Sequence, residues 1–225
     1  MSERHARLVG LYAAAAAVAS MLVTPLLALA YFATEDGASE LEVGSVSAWA
    51  EPARDALDGL LTFASADGVY YTYLKLLILI APAMFLCALA VRSRRPQTQT
   101  RPEIWGWRIA LAGYAALAVG VILAPPWSVA LNVVFLALIV PGLLLGTIGS
   151  TVLGIALLRS SFRPRLTAWL LALAVPPWLV ASMVLGHNSP GLVPLFLAWG
   201  VAGLQIWRHE ERAATHGLTP GYRAR

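Results

Sequence analysis

The sequence is poor in charged residues, which make up only 12% of the chain. A soluble domain usually carries about 25%. The chain is 59% hydrophobic, its mean hydropathy is +0.70, and long stretches carry no charge at all. These features exclude an ordinary soluble domain and predict an integral membrane protein.

Cysteine, acidic residues in apolar runs, and clustered histidine are also scarce. Cys87 is the single cysteine, which excludes a disulfide within the chain and a cysteine-based metal site. The four histidines show no pair at metal-ligand spacing, and no Asp or Glu lies within the apolar spans defined below. We therefore expect no metal, no cofactor and no proton relay, and an enzyme is the weakest functional hypothesis.

Six apolar segments predict an all-α bundle of six transmembrane helices that forms a single domain over residues 1–225. The first is far longer than the roughly 7–15 apolar residues of a cleaved signal, so we expect an uncleaved anchor. Residues 109–158 are uncharged and too long for one helix, and Pro125 and Pro126 divide them. The predicted spans are 8–32, 70–91, 105–124, 128–158, 166–186 and 191–207.

The distribution of arginine predicts the orientation. If the N-terminus is cytoplasmic, fourteen of the sixteen basic residues lie in cytoplasmic segments, and only Arg54 and Lys75 do not. Eight of the twelve acidic residues fall in the 33–68 stretch, which is then outside. This asymmetry predicts that both termini are cytoplasmic. The basic residues then form the inner rim of a membrane protein, so we expect no nucleic-acid partner.

The outer loop, residues 33–69, contains apolar residues at helical spacing. They predict a short amphipathic helix, which is either a connector packed on the bundle or a lid over a binding site. The residues concerned are Trp49, Ala53, Ala56, Leu57, Leu60 and Leu61.

Small residues repeat at helical spacing along the fourth span. The pattern lets helices approach closely and predicts a packing face, within the chain or toward another membrane protein. Ser150 lies in the same stretch. We expect it more than roughly 20 Å from His187, which argues against an intramembrane serine protease. The packing residues are Gly142, Gly146, Gly149 and Gly154.

Four polar residues near the outer ends of the spans are candidate ligand-binding residues: Lys75, Asn132, Ser182 and His187. Prolines in spans two, four and five free backbone carbonyls near the middle of the membrane, an arrangement from which transporters build sites. If these faces converge, they form an outward-facing pocket suited to an anionic amphiphile. Alternatively, the prolines only bend the helices, and Lys75 extends its ammonium toward the interface.

Two stretches, FASADGVYYTYLK (63–75) and LGIALLRSSFRPRLTAWLL (153–171), resemble segments of uncharacterised small multi-span membrane proteins of high-GC Gram-positive bacteria. The resemblance implies a bacterial plasma membrane and supplies no activity.

Two main functional hypotheses follow. The first is a non-catalytic structural or accessory protein that associates with a membrane-protein partner, or with itself, through its glycine-rich faces. The second is a binder or carrier of a lipid or small anionic amphiphile near Lys75. The first hypothesis predicts that Lys75→Met changes little, and the second predicts loss of the ligand.

Overall fold

A computed structural model describes residues 3–57, 59–95, 99–123 and 133–215, and no strand occurs in these ranges. Five helices are long and apolar enough to cross a membrane, or six if a bent pair counts as one span. An all-helical bundle with five or six such helices is therefore confirmed. Its α-helices are α1 (Glu3–Phe32), α2 (Gly44–Ala56), α3 (Ala66–Arg92), α4 (Arg101–Leu123), α5 (Val140–Leu158), α6 (Arg165–Ala172), α7 (Val175–Val184) and α8 (Val193–Thr215).

The long helices pack as a closed ring in the order α1, α3, α4, α5, α6 and α8, and α8 returns to α1. Two antiparallel pairs carry much of the packing. In one, Gly10 near the start of α1 meets Gly203 in the middle of α8. In the other, Gly113 of α4 meets Gly146 of α5. The ring has two ends, which we name the His187 end and the Arg95 end after residues that lie there.

The four glycines predicted as packing residues all lie against other helices of the same chain. A Cβ added to Gly142 would lie 2.7 Å from the Leu117 nitrogen, and one added to Gly146 would lie 3.4 Å from the Tyr114 ring. A Cβ on Gly149 or Gly154 would lie 2.7 Å from the Cα of Ala110 or Ala172, respectively. These faces are therefore occupied within the bundle.

The centre of the ring holds a buried polar and aromatic cluster. The Trp199 indole donates to the Tyr114 hydroxyl at 3.0 Å, and that hydroxyl is hydrogen-bonded to Ser150. Trp107 packs beside Trp199 with a ring-centre distance of 5.9 Å. Because each of these hydrogen-bonded groups has a partner, the cluster can be buried without a large desolvation cost.

Two of the predicted spans are broken where prolines occur. The fifth consists of α6 and α7, which meet at a 47° bend, and Pro176 and Pro177 lie in the first turn of α7. In the fourth, a π-helical turn, Phe135–Ile139, precedes α5, and Pro141 is the second residue of α5. Proline cannot donate to the carbonyl four residues back, so the local hydrogen-bonding pattern changes. The division predicted at Pro125 and Pro126 lies outside the described residues.

Helix α4, which corresponds to the third predicted span, begins earlier than predicted. This corrects the expectation that the spans hold no acidic residue. Helix α4 starts at Arg101, so Glu103 lies in its first turn, where it is only 2% exposed. Arg95 holds it by two hydrogen bonds, Nε to Oε1 at 2.8 Å and Nη2 to Oε2 at 3.1 Å. A paired carboxylate can be buried at a helix N-terminus, where the helix dipole also favours it.

The 33–69 segment contains a 3₁₀ helix, Ala38–Glu42, followed by α2. Val46 and Ala50 of α2 are buried against Phe32 at the end of α1. The predicted apolar stripe is longer than the helix. Helix α2 ends at Ala56, Gly59 takes a positive φ of 78°, and Leu60 is 74% exposed. The chain therefore leaves the helical course before Leu60.

Candidate functional site

A cavity of about 480 Å³ opens at the His187 end, and we name it the His187 cavity. Its wall comes from α1, α3, α4, α5, α7 and α8, together with the 3₁₀ helix before α2, the π-helical turn and the turn that precedes α8. The volume falls within the roughly 300–1,000 Å³ of small-molecule sites.

Away from its rim, the wall of the cavity is apolar. Two lining residues lie next to prolines of the spans: Ile139 ends the π-helical turn before Pro141, and Ala81 directly precedes Pro82 of α3. The apolar lining residues are Leu27, Ala66, Leu77, Ala81, Leu117, Val121, Phe135, Ile139, Leu143, Leu192 and Phe196.

The rim is polar and carries acidic groups. Glu40 comes from the 3₁₀ helix before α2, and Asp67 from the first turn of α3. No basic side chain belongs to the described lining. The polar lining residues are Tyr31, Glu40, Asp67, Tyr70, Ser182, His187, Asn188 and Ser189.

His187 is held in place by the turn that follows it. Its Nδ1 lies 3.2 Å from the Ser189 backbone nitrogen. Nε2 lies 3.5 Å from the Tyr70 hydroxyl. The Ser189 hydroxyl lies 2.8 Å from both Nδ1 and the Thr24 carbonyl, which ties the turn to α1.

Burial lowers the pKa of His187 from 6.5 to about 4, because the charged ring loses its hydration. Between pH 6.5 and pH 4, His187 is therefore protonated in the unfolded chain and neutral in the folded chain. Because the unfolded state binds the extra proton, folding stability falls as the pH falls through this window. We expect a loss on the order of 1–2 kcal/mol from this group, since the ring is only partly enclosed.

The His187→Asn variant tests this prediction, because its side-chain oxygen can still accept the Ser189 N–H. Melting temperatures are measured from pH 7 to pH 4 for the wild type and the variant. The wild type should lose more stability than the variant over this window. Equal losses in the two proteins would contradict a contribution from His187.

The structure brings together two of the four residues predicted to bind a ligand. Ser182 and His187 both line the cavity, and Ser182 Oγ also donates to the Trp178 carbonyl at 3.0 Å. Lys75 does not line it: its side chain is exposed, and Nζ lies 3.7 Å from the centre of the Tyr71 ring. Asn132 lies outside the described residues.

The position of Lys75 follows from helix geometry. Tyr70, Leu77 and Ala81 line the cavity at spacings of seven and four residues, which is one face of α3. At about 100° per residue, Lys75 is rotated roughly 120–160° away from these three residues. It therefore lies on the side of α3 that faces away from the cavity.

Sequence reasoning missed Tyr31, Glu40, Asp67, Tyr70 and Ser189 as lining residues. Only the 70, 77, 81 spacing on α3 carried a usable signal, and it does not distinguish a cavity face from a packing face. The other residues come from segments distant in sequence, and only the folded chain brings them together.

Among the residues that the structure describes, Ser150 has no histidine partner. Its hydroxyl is hydrogen-bonded to Tyr114 and to the Gly146 carbonyl. Within the described ranges no group of three or more His, Cys, Asp or Glu side chains could hold a metal ion. The arrangement at the His187 cavity is thus suited to binding an amphiphilic molecule, with its apolar part below and its polar part at the rim.

Comparisons with known proteins assign no relative. No protein-family model, no curated protein and no solved structure matches this chain.

Proposed function

We propose that this chain is a non-catalytic multi-pass protein of a bacterial plasma membrane that binds a lipid or small amphiphile in the His187 cavity. One observation carries the proposal: a cavity of about 480 Å³ with an apolar wall and a polar rim at one end of a helix bundle. A packed protein interior leaves few voids larger than a water molecule, so a space of this size needs an occupant or solvent.

The proposed orientation places the His187 end outside and both termini in the cytoplasm. The ends of α3 and α5 and the starts of α4 and α6 all carry arginine at the opposite end of the bundle. Arginine-rich connections favour the cytoplasmic side. In this orientation the cavity opens toward the outer leaflet.

The acidic rim changes the head group that we propose. From the sequence, the positive charge of Lys75 predicted an anionic amphiphile as the ligand. The charged side chains of the described lining are Glu40 and Asp67, and Lys75 lies on another face. Opposite charges attract and like charges repel across a partly desolvated rim, so a cationic or uncharged head suits this cavity better than an anionic one.

Association with another membrane protein, or with a second copy of this chain, stays a prediction. Gly142, Gly146, Gly149 and Gly154 pack against the chain's own helices, so a partner would need a different surface. We therefore place amphiphile binding first.

The proposal is tested with three single-chain amphiphiles that share one alkyl chain and carry an ammonium, a hydroxyl or a carboxylate head. The protein is reconstituted in lipid nanodiscs, and retained amphiphile is measured by native mass spectrometry. Ala81→Leu fills part of the cavity and should weaken binding roughly tenfold, because it displaces about two methylenes of the ligand and each buried methylene contributes about 0.8 kcal/mol. Lys75→Met is the matched control on the same helix and should bind like the wild type.

Retention of one amphiphile per chain, lost in Ala81→Leu and kept in Lys75→Met, would support the proposal. If Ala81→Leu lowers the melting temperature, Val121→Phe repeats the test from α4. Equal retention in the wild type and both cavity variants would place the amphiphile on the lipid-facing surface and contradict cavity binding. Loss in Lys75→Met, with the carboxylate bound best, would restore the anionic site predicted from the sequence.

A further inference from the structure

A second pocket, of about 360 Å³, lies at the Arg95 end, and we name it the arginine pocket. It lies between the end of α3, the connection from α5 to α6, and α8. Three arginines line it, Arg94, Arg95 and Arg163, together with Gln205. No acidic side chain belongs to its described lining.

The arginines differ in how they are held. Arg95 is paired with buried Glu103, and its guanidinium lies 5.5 Å from the centre of the Phe162 ring. Arg94 donates to the Ala90 carbonyl at 3.2 Å, and Arg163 is exposed at the pocket. Even when Glu103 is counted against Arg95, the described lining is positively charged, and Arg95 provides a rigid side to the site.

Most of the remaining described lining is apolar, and Ser161 is its one polar side chain. Val91 and Phe162 are 8% and 7% exposed, and Ile206 of α8 lies on the same wall. These apolar side chains would contact an alkyl chain attached to a group held at the arginines.

We propose that the arginine pocket binds the phosphate group of an anionic phospholipid. Guanidinium groups recognise phosphate oxygens through several N–H donors in a planar fork. Basic pockets between transmembrane helices on the cytoplasmic side bind anionic head groups. The apolar wall favours a lipid over free phosphate. This inference concerns a different pocket from the His187 cavity and does not depend on amphiphile binding there.

The test uses the full chain in nanodiscs of phosphatidylcholine to which phosphatidylglycerol is added. Native mass spectrometry counts the phosphatidylglycerol retained per chain, and melting temperature with and without it gives a second measurement. The variants are Arg163→Gln and Arg94→Gln. Arg165→Gln is the matched control, because it removes the same charge two residues from Arg163 but does not line the pocket.

We expect the wild type to retain phosphatidylglycerol in preference to phosphatidylcholine, with affinity about fivefold weaker in Arg163→Gln, as one arginine near an anionic surface contributes about 1 kcal/mol. Arg165→Gln should keep most of the binding. If Arg94→Gln fails to fold, Arg163→Gln decides alone.

Three results would overturn the proposal. Equal loss in Arg165→Gln would indicate general attraction to the surface and no defined pocket. Equal retention of the two lipids would exclude recognition of an anionic head group. Displacement of the lipid by inorganic phosphate, with phosphate itself retained in the same stoichiometry, would assign the pocket to a soluble phosphate compound.

Discussion

Glu103→Ala is expected to lower the free energy of unfolding by about 3–5 kcal/mol, the largest effect of a single substitution that we predict. The Arg95 and Glu103 side chains are only 14% and 3% exposed. Removing the carboxylate leaves a guanidinium in a poorly hydrated site without its charge partner. It also removes the acceptor for the Trp107 indole, which lies 3.4 Å from Oε1.

The measurement is thermal unfolding of the detergent-solubilised protein, with size-exclusion chromatography to detect the loss of folded protein. Glu51→Ala is the control, because Glu51 is an exposed acid of α2 and its loss should change stability by less than about 0.5 kcal/mol. The double variant Arg95→Leu/Glu103→Leu should recover much of the loss, since an apolar pair of similar size removes both buried charges. A Glu103→Ala protein as stable as the Glu51→Ala control would show that the pair contributes nothing.

Gly149→Leu is expected to cost at least about 1–3 kcal/mol and to reduce the yield of folded protein sharply, because α4 and α5 touch at backbone distance. A Cβ at this position would lie 2.7 Å from Ala110 Cα, and both residues are near the centre of their helices. A backbone neighbour cannot rotate away as a side chain can. The helices must separate, and the cluster of Tyr114, Ser150 and Trp199 would lose its hydrogen bonds.

Gly44→Ala is the matched control, since a Cβ there would meet nothing within 4 Å. It should be neutral or slightly stabilising, because alanine restricts the unfolded chain more than glycine does. Gly149→Ala gives an intermediate step in side-chain size. Stability that stays constant from Gly149 through alanine to leucine would contradict the close packing of α4 on α5.

Much of the helical architecture could be predicted from the sequence. Hydrophobic length is a local property, and about twenty apolar residues suffice to mark a helix that can cross a membrane. The glycine repeat from Gly142 to Gly154 likewise marked a close-packed face, although the sequence did not specify which helix it meets. The helix boundaries were less accurate, and the start of α4 at Arg101 brought Glu103 into a segment predicted to hold no acid.

Which side chains meet is a property of the folded chain alone. Ser182 and His187 line a common cavity, whereas Lys75 lies on the other side of α3. Each step of one residue along a helix rotates the side chain by about 100°, so the face that Lys75 occupies depends on how α3 is packed. His187 contacts Ser189 in the turn that follows it, and it contacts Tyr70 from a helix more than a hundred residues away in the chain. By itself the sequence determined the composition, the approximate length and the apolar character of the helices. The tertiary structure decided how the helices are rotated and which side chains meet, and therefore where the two pockets lie. Rotations and contacts depend on packing between segments that are distant in the chain.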